Sequence, residues 1–375
     1  MKLQMVDLKG QYERIKSEVD AGIREVVKSS AFINGPKVTE FADHLAAYSG
    51  IGHVIPCANG TDALQIALMA LNLKPGDEVI VPSFTYVASV EVIALLGLVP
   101  VMVDVDYSSF NITLDNIKCG LSDRTRAIIP VHLFGQSCDM VPIMNFASHH
   151  GLYVIEDNAQ SIGAKYRFSA NFQKHTGTIG HIGCTSFFPS KNLGCYGDGG
   201  AMMTNDPELA ERLRMIANHG QKKKYYHSVI GCNSRLDTIQ AAILDIKLRY
   251  LDEYCYARYD AATYYSNRLK GIDGIGIPVE SPFSTHVYHQ YTLKVKYGRR
   301  NSLKEFLAQR GIPSMIYYPL PLSEQEAFKS IARIAEPLEV TKRLCNEVLS
   351  LPIHTEITPD QQNTIISAIN EFFCT

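Results

Sequence analysis

Six short apolar runs between residues 78 and 204 set the strongest limit on what this chain can become. Residues 78–82, 99–104, 127–131 and 153–157 each read as a strand, and 183–188 and 200–204 are two further candidates. They lack the alternation of a strand with one wet face. Continuous runs of this kind are covered on both sides, as in a parallel sheet between layers of helix. Helical stretches at 61–71 and 88–96 lie between the earlier strands. Strands separated by helices imply βαβ units and an α/β fold with a mostly parallel sheet.

The texture changes in the second half. Residues 236–269 are rich in helix formers without Gly or Pro, giving one long helix or two joined by a kink. Beyond Gly271, residues 288–295 alternate like a strand and 302–309 look helical. Thr358 and Pro359 suit the N-cap and first position of a closing helix. The 375 residues therefore divide into a large domain over 1–250 and a smaller α+β domain over 251–375.

Composition removes several function classes. Lys plus Arg is 36 against 38 Asp plus Glu, a net charge of -2, which gives no basic footprint for nucleic acid. The nine cysteines are scattered without a C-x-x-C pair, so no metal site is expected and they read as small core residues. The chain opens without an apolar signal-peptide core, and it has no run of about 18 apolar residues for a membrane span. The expectation is a cytoplasmic protein with no membrane partner.

Three segments carry chemistry. In 57–64, CANGTDAL, a small-residue turn runs into an apolar helix, whose free N–H groups and positive dipole end suit a phosphate. The plain alternative is a helix capped by Asn59 or Thr61. Neither a G-x-x-x-x-G-K-[ST] loop nor a strand followed by G-x-G-x-x-G is present, which disfavours nucleotide-triphosphate and nicotinamide readings. In 154–161, VIEDNAQS, Glu156 and Asp157 stand where a strand ends, a favoured place for ligands in open parallel sheets. A period of two turns them to opposite sides, so one faces a given ligand; the alternative is a pair of capping acids. In 185–200, TSFFPSKNLGCYGDGG, Lys191 lies between an apolar strand and a glycine-rich segment. Partial burial among Phe187, Phe188, Pro189 and Leu193 would lower its pKa and free the amine for Schiff-base chemistry. The alternative is a solvated surface lysine.

Phosphate cradle, strand-end aspartate and lysine follow one another in the order of fold-type I pyridoxal-phosphate enzymes. In those enzymes a carboxylate keeps the pyridine nitrogen protonated, and a lysine holds the aldehyde as an imine and shuttles the proton. Nearly the whole chain resembles the DegT/StrS-type nucleotide-sugar aminotransferases. The stretches that carry the resemblance are CANGTDAL, VPSFTYVAS, PVHLFGQ, VIEDNAQSIGA, TSFFPSKNLGCYGDGGA and NSRLDTIQAAIL. Within that family it is most similar to transaminases that aminate C3 of UDP-2-acetamido-3-keto sugars, including one acting on a 3-keto uronic acid in O-antigen synthesis.

The resemblance implies an aspartate-aminotransferase-like fold, pyridoxal phosphate or its pyridoxamine form as cofactor, and L-glutamate as amino donor, leaving 2-oxoglutarate. It implies a UDP-linked keto-sugar as acceptor, a role in lipopolysaccharide synthesis and a homodimer with shared active sites. Lys191 takes the imine and proton-shuttle role, Asp157 the pyridine nitrogen and Gln160 the 3-hydroxyl side. Gly60, Thr61 and Ser186 meet the phosphate, and Asn233 reaches the phosphate from the partner subunit; Tyr86 stacks on the ring with Phe84 as the fallback and a candidate substrate contact, core packing being the plain alternative for either ring. Tyr317 and Tyr318 fit the substrate-side loop, although many members carry histidines where Tyr317 and Ser323 stand. Lys222, in the run Lys222–Lys224, is either a solvated loop charge or a pull on the sugar's diphosphate. His132 and His219 read as structural histidines. Two alternatives stand beside the transaminase: a dehydratase or deaminase on the same fold, which Lys191 disfavours, and a non-catalytic regulatory protein.

Overall fold

Each apolar run becomes a strand in the computed structural model, which describes residues 3–374. In chain order the strands are β1 (His53–Cys57), β2 (Glu78–Pro82), β3 (Val99–Val103), β4 (Thr125–Ile128), β5 (Tyr153–Asp157), β6 (Lys165–Ser169), β7 (Phe172–His175), β8 (Ile182–Ser186), β9 (Gly200–Thr204), β10 (Gln221–Lys223), β11 (Tyr226–His227), β12 (Ile275–Gly276), β13 (Tyr291–Val295), β14 (Arg333–Ile334) and β15 (Val348–Leu351). The α-helices are α1 (Leu8–Ser29), α2 (Pro36–Ser49), α3 (Gly60–Ala70), α4 (Ala88–Leu95), α5 (Leu114–Gly120), α6 (Met140–His150), α7 (Pro207–Ala217), α8 (Thr238–Leu248), α9 (Leu251–Leu269), α10 (Arg300–Gln309), α11 (Glu339–Glu347) and α12 (Pro359–Cys374).

Eight strands form the main sheet in the order β1-β9-β8-β5-β4-β2-β3-β14. All pairings from β14 to β8 are parallel, whereas β9 runs against both β8 and β1. Helix α3 shows how the layers close. Ala63, Leu64, Ile66, Ala67 and Leu68 are all buried around it, so the helix has almost no wet face. At about 1.5–3 kcal/mol per fully buried aliphatic side chain, Leu64, Ile66 and Leu68 outweigh intrinsic propensity in fixing it on the sheet. Its start is set by Asn59, whose Oδ1 accepts the Asp62 N–H at 2.8 Å.

The stretch 236–269 is two helices, α8 and α9, broken at Arg249–Tyr250. Leu251 and Cys255 on the first turns of α9 pack with Phe187, Leu193 and Leu244 of the large sheet's core. Ala261, Tyr265 and Leu269, further along α9, join a second core built on β13, β15, α10 and α12. The chain then returns: Leu322, Phe328, Leu344 and Val348 pack into the first core, and β14 pairs with β3 at the sheet's edge. Helix α12 starts as its sequence predicts, with the Thr358 hydroxyl accepting the Gln361 N–H at 3.3 Å. No helix among the described residues is long and apolar enough to cross a membrane.

Candidate active site

Strand ends and helix starts meet at the carboxyl edge of the main sheet and enclose a cavity of about 620 Å³. Gly60, Thr61, Tyr86, Asp157, Gln160, Ser186, Lys191, Tyr317 and Tyr318 all line it. Residues separated by more than 250 positions thus share one wall. A larger depression of about 770 Å³ between α1, α2 and α8 holds none of them.

The two strand-end carboxylates part as the period of two requires. Asp157 lines the cavity, accepting the Ser89 hydroxyl at 2.7 Å and the Ala159 N–H at 3.1 Å. Glu156 faces the interior and is fully buried. It accepts backbone N–H groups from Gly177 at 2.8 Å, Ile179 at 2.7 Å and Gly180 at 2.6 Å, and lies 2.8 Å from His132 Nε2. Because His132 Nδ1 accepts the Cys138 N–H at 3.1 Å, the proton sits on Nε2 and points at Glu156. His132 is therefore bound at both nitrogens, within the framework. Burial alone would raise the Glu156 pKa, but the His132 contact and the backbone donors bring it below the ordinary carboxylate value.

Lys191 stands in the turn after β8, where its backbone N–H reaches the Phe188 carbonyl at 2.8 Å. Its side chain is half-buried, and burial pushes the amine down to about 8 against the opposing pull of Asp157. Two glycines let the backbones close around this turn. A Cβ on Gly200 would lie 2.4 Å from the Asn59 carbonyl group, and one on Gly60 would lie 2.7 Å from Ser186 Cβ. The start of α3 and the end of β8 therefore meet at van der Waals contact, with the first N–H groups of α3 on the cavity wall. That geometry suits an anion, and the hydroxyls of Thr61 and Ser186 stand beside it.

Gln160 bridges two walls: its Oε1 accepts the Phe134 N–H at 2.9 Å and its Nε2 lies 3.1 Å from the Tyr318 hydroxyl. Tyr86 is 55% exposed at the mouth, its ring 6.2 Å from that of Tyr318. Three sequence-predicted residues lie elsewhere. Phe84 is 1% exposed, packs against Phe110, Phe134 and Tyr318, and does not line this cavity. Lys222 sits on the β10–β11 hairpin, ion-paired with Glu211 at 2.8 Å. Asn233 is exposed and pairs with Asn218 outside its own chain's cavity.

Sequence reasoning missed Ser89, which fixes Asp157, and His289, which also lines the cavity. The local signals for Ser89 were its place at the end of the stretch VPSFTYVAS and one turn after Thr85, whose hydroxyl lies 3.3 Å away. Its link to Asp157 spans 68 positions and is visible only in three dimensions.

Residues 13–370 match the family model for DegT/DnrJ/EryC1/StrS aminotransferases. A Geobacillus stearothermophilus protein called "Pleiotropic regulatory protein" is 45% identical over 100% of this chain and 99% of its own length. A UDP-2-acetamido-2-deoxy-3-oxo-D-glucuronate aminotransferase from Pseudomonas aeruginosa is 46% identical over 98% of this chain and 99% of its own. The crystal structure of a DegT DnrJ EryC1 StrS aminotransferase from Brucella abortus superposes with a TM-score of 0.94 at 42% identity, covering 100% of both chains.

Proposed function

Because this chain belongs to the DegT/DnrJ/EryC1/StrS aminotransferase family, we propose that its cavity is a sugar-transaminase site worked by Lys191 and Asp157. The chain is a sugar aminotransferase dependent on pyridoxal phosphate. When bound, that cofactor supplies an electron sink and carries the amine from donor to acceptor. The observation that carries the assignment is a half-buried lysine, its amine lowered to about 8, in the same cavity as a braced aspartate.

The chain's own residues divide the work. Asp157, held by Ser89 and the Ala159 N–H, has its carboxylate oriented before any ligand arrives, and we assign it to the ring nitrogen. The N-terminal turn of α3, with Thr61 and Ser186 on the cavity wall, would hold the phosphate. Gln160 and Tyr86 both stand on the cavity wall, where Gln160 would face the ring's hydroxyl side and Tyr86 would cover the ring. Lys191 would hold the cofactor and, as a free amine, would take and return the substrate proton at Nζ. Tyr317 and Tyr318 line the side on which substrate enters.

The tight contact between Gly60 and Ser186 makes this phosphate site testable. Gly60→Ala puts a methyl 2.7 Å from Ser186 Cβ and pushes α3 away. The expected result is cofactor affinity weakened by about tenfold or more, some 1.4 kcal/mol, measured by absorbance titration. Unchanged affinity would reject the cradle.

As acceptor we infer a UDP-linked 2-acetamido-2-deoxy-3-keto sugar, with L-glutamate as donor, in the synthesis of lipopolysaccharide amino sugars. The name and 46% identity of the Pseudomonas aeruginosa relative support this. Asn233, exposed and outside its own cavity, supports a homodimer in which it completes the neighbour's phosphate site. Nine free cysteines support a reducing cytoplasm as the place of reaction. A panel of UDP- and dTDP-linked keto-sugars, with glutamate as donor and 2-oxoglutarate release as readout, tests the substrate. Turnover is expected with UDP-linked 3-keto sugars, and product from 4-keto sugars alone would overturn the choice.

A further inference from the structure

The cavity contains one buried titratable group to which the reaction above gives no task. His289 is 6% exposed and lines the cavity together with Lys191. Its ring Nδ1 is buried and has no hydrogen-bond partner. A buried imidazole nitrogen left unpaired is costly, so a fold keeps one where a partner arrives during function.

The backbone around His289 is held on every side. Arg258, itself buried on α9, donates from Nη1 to the carbonyls of Tyr288 at 3.2 Å, His289 at 3.4 Å and Ile353 at 3.1 Å. Gln290 N–H reaches the Phe134 carbonyl at 3.3 Å, and Val287 N–H the Gly135 carbonyl at 2.8 Å. Asn192, next to Lys191, donates from Nδ2 to the Val287 carbonyl at 3.0 Å. The turn that carries Lys191 is thus bonded directly to the segment that carries His289. The frame is rigid and the ring within it is unsatisfied.

Charge fixes which role the ring can play. Burial first, then the cations Lys191 and Arg258, hold its pKa well below the ordinary histidine value, so it stays neutral. Across the cavity Asp157 draws on Lys191, and Tyr318 adds a hydroxyl that stays protonated. A neutral imidazole can accept a hydrogen bond from an amine.

We propose that His289 is a positioning residue for Lys191, its uncharged ring accepting a hydrogen bond from Nζ whenever the amine is free and keeping it inside the cavity between proton transfers. This rests on the assignment of Lys191 above. Lysine's four-carbon stem gives Nζ the reach to move between these stations.

The test measures Lys191 without cofactor. Competitive acetylation of the apoenzyme by acetic anhydride across pH, read by peptide mass, gives the Lys191 titration midpoint. An acceptor favours the ammonium, so its loss in His289→Phe lowers the midpoint by about one pH unit. His289→Gln, which retains an acceptor, recovers at least half of that shift. In the loaded enzyme the Phe variant loses about 10- to 100-fold in kcat, with KM for glutamate and for the sugar retained. An unchanged midpoint overturns the proposal, as does a raised KM with kcat retained, which would place the ring on substrate. If the Phe variant does not fold, His289→Asn, too short to reach, is read in the same way. Failure of the Lys191 assignment would show separately: borohydride reduction of the wild-type holoenzyme would mark a different lysine.

Discussion

Lys191→Ala abolishes transamination, with an expected loss of about 10⁴-fold, the upper end for removal of a proton-transferring group. The upper end applies because one side chain both holds the cofactor and moves the proton. The fold survives the change. The amine is half-buried and only partly offset by Asp157, its pKa driven down to about 8 by burial, so removing it takes away a group that opposes folding. The melting temperature of the variant should equal or exceed that of the wild type. Lys191→Arg does not rescue, since a guanidinium remains charged where the reaction needs a free base. The measurement is glutamate-dependent turnover beside thermal unfolding and the yellow colour of the purified protein. Full turnover in Lys191→Ala would sink the mechanism.

The second large effect is on stability. Glu156→Ala leaves the His132 ring and three backbone N–H groups facing an empty interior. Leaving a buried donor without its acceptor costs about 1–3 kcal/mol, and four donors lose theirs here, enough to lower the urea midpoint well beyond error. The wild type carries the same effect as a pH dependence. The folded-state pKa of Glu156 lies below its unfolded value. Its contribution is therefore fully present above the ordinary carboxylate range and is lost as pH falls through the folded pKa. Denaturation at pH 7 and again near pH 4 should show wild type and variant converging on acidification. A constant gap between them would mean that Glu156 acts through packing and not through its charge.

These two residues show what the sequence made legible. Adjacent letters on one strand, Glu156 and Asp157, part to opposite faces because the side-chain period is two, and no tertiary knowledge was needed to expect it. The six apolar runs were legible for the same reason: strands buried on both faces need no alternation. What could not be read depends on long-range contact. Ser89 meets Asp157 because α4 crosses the sheet end, and nothing in its neighbourhood says so. The direction of β9 is also silent in its letters, since the composition of a fully buried strand is the same either way. For Phe84 and Tyr86 the sequence left core packing and ring contact both open, because VPSFTYVAS places them two residues apart without saying which ring the cavity takes.

Strand β14 has a consequence for biosynthesis. It is two residues long, and it covers the outer edge of β3 from a point more than 200 positions later in the chain. Arg333 also closes on Glu78 at 2.7 Å, at the start of the neighbouring strand. During translation, β2 and β3 leave the ribosome with that border open, and an open parallel border is a template for pairing with another nascent chain. The segment that seals it follows only after more than 200 further residues. Fragments ending before Arg333 therefore inherit an open parallel edge in place of a finished sheet.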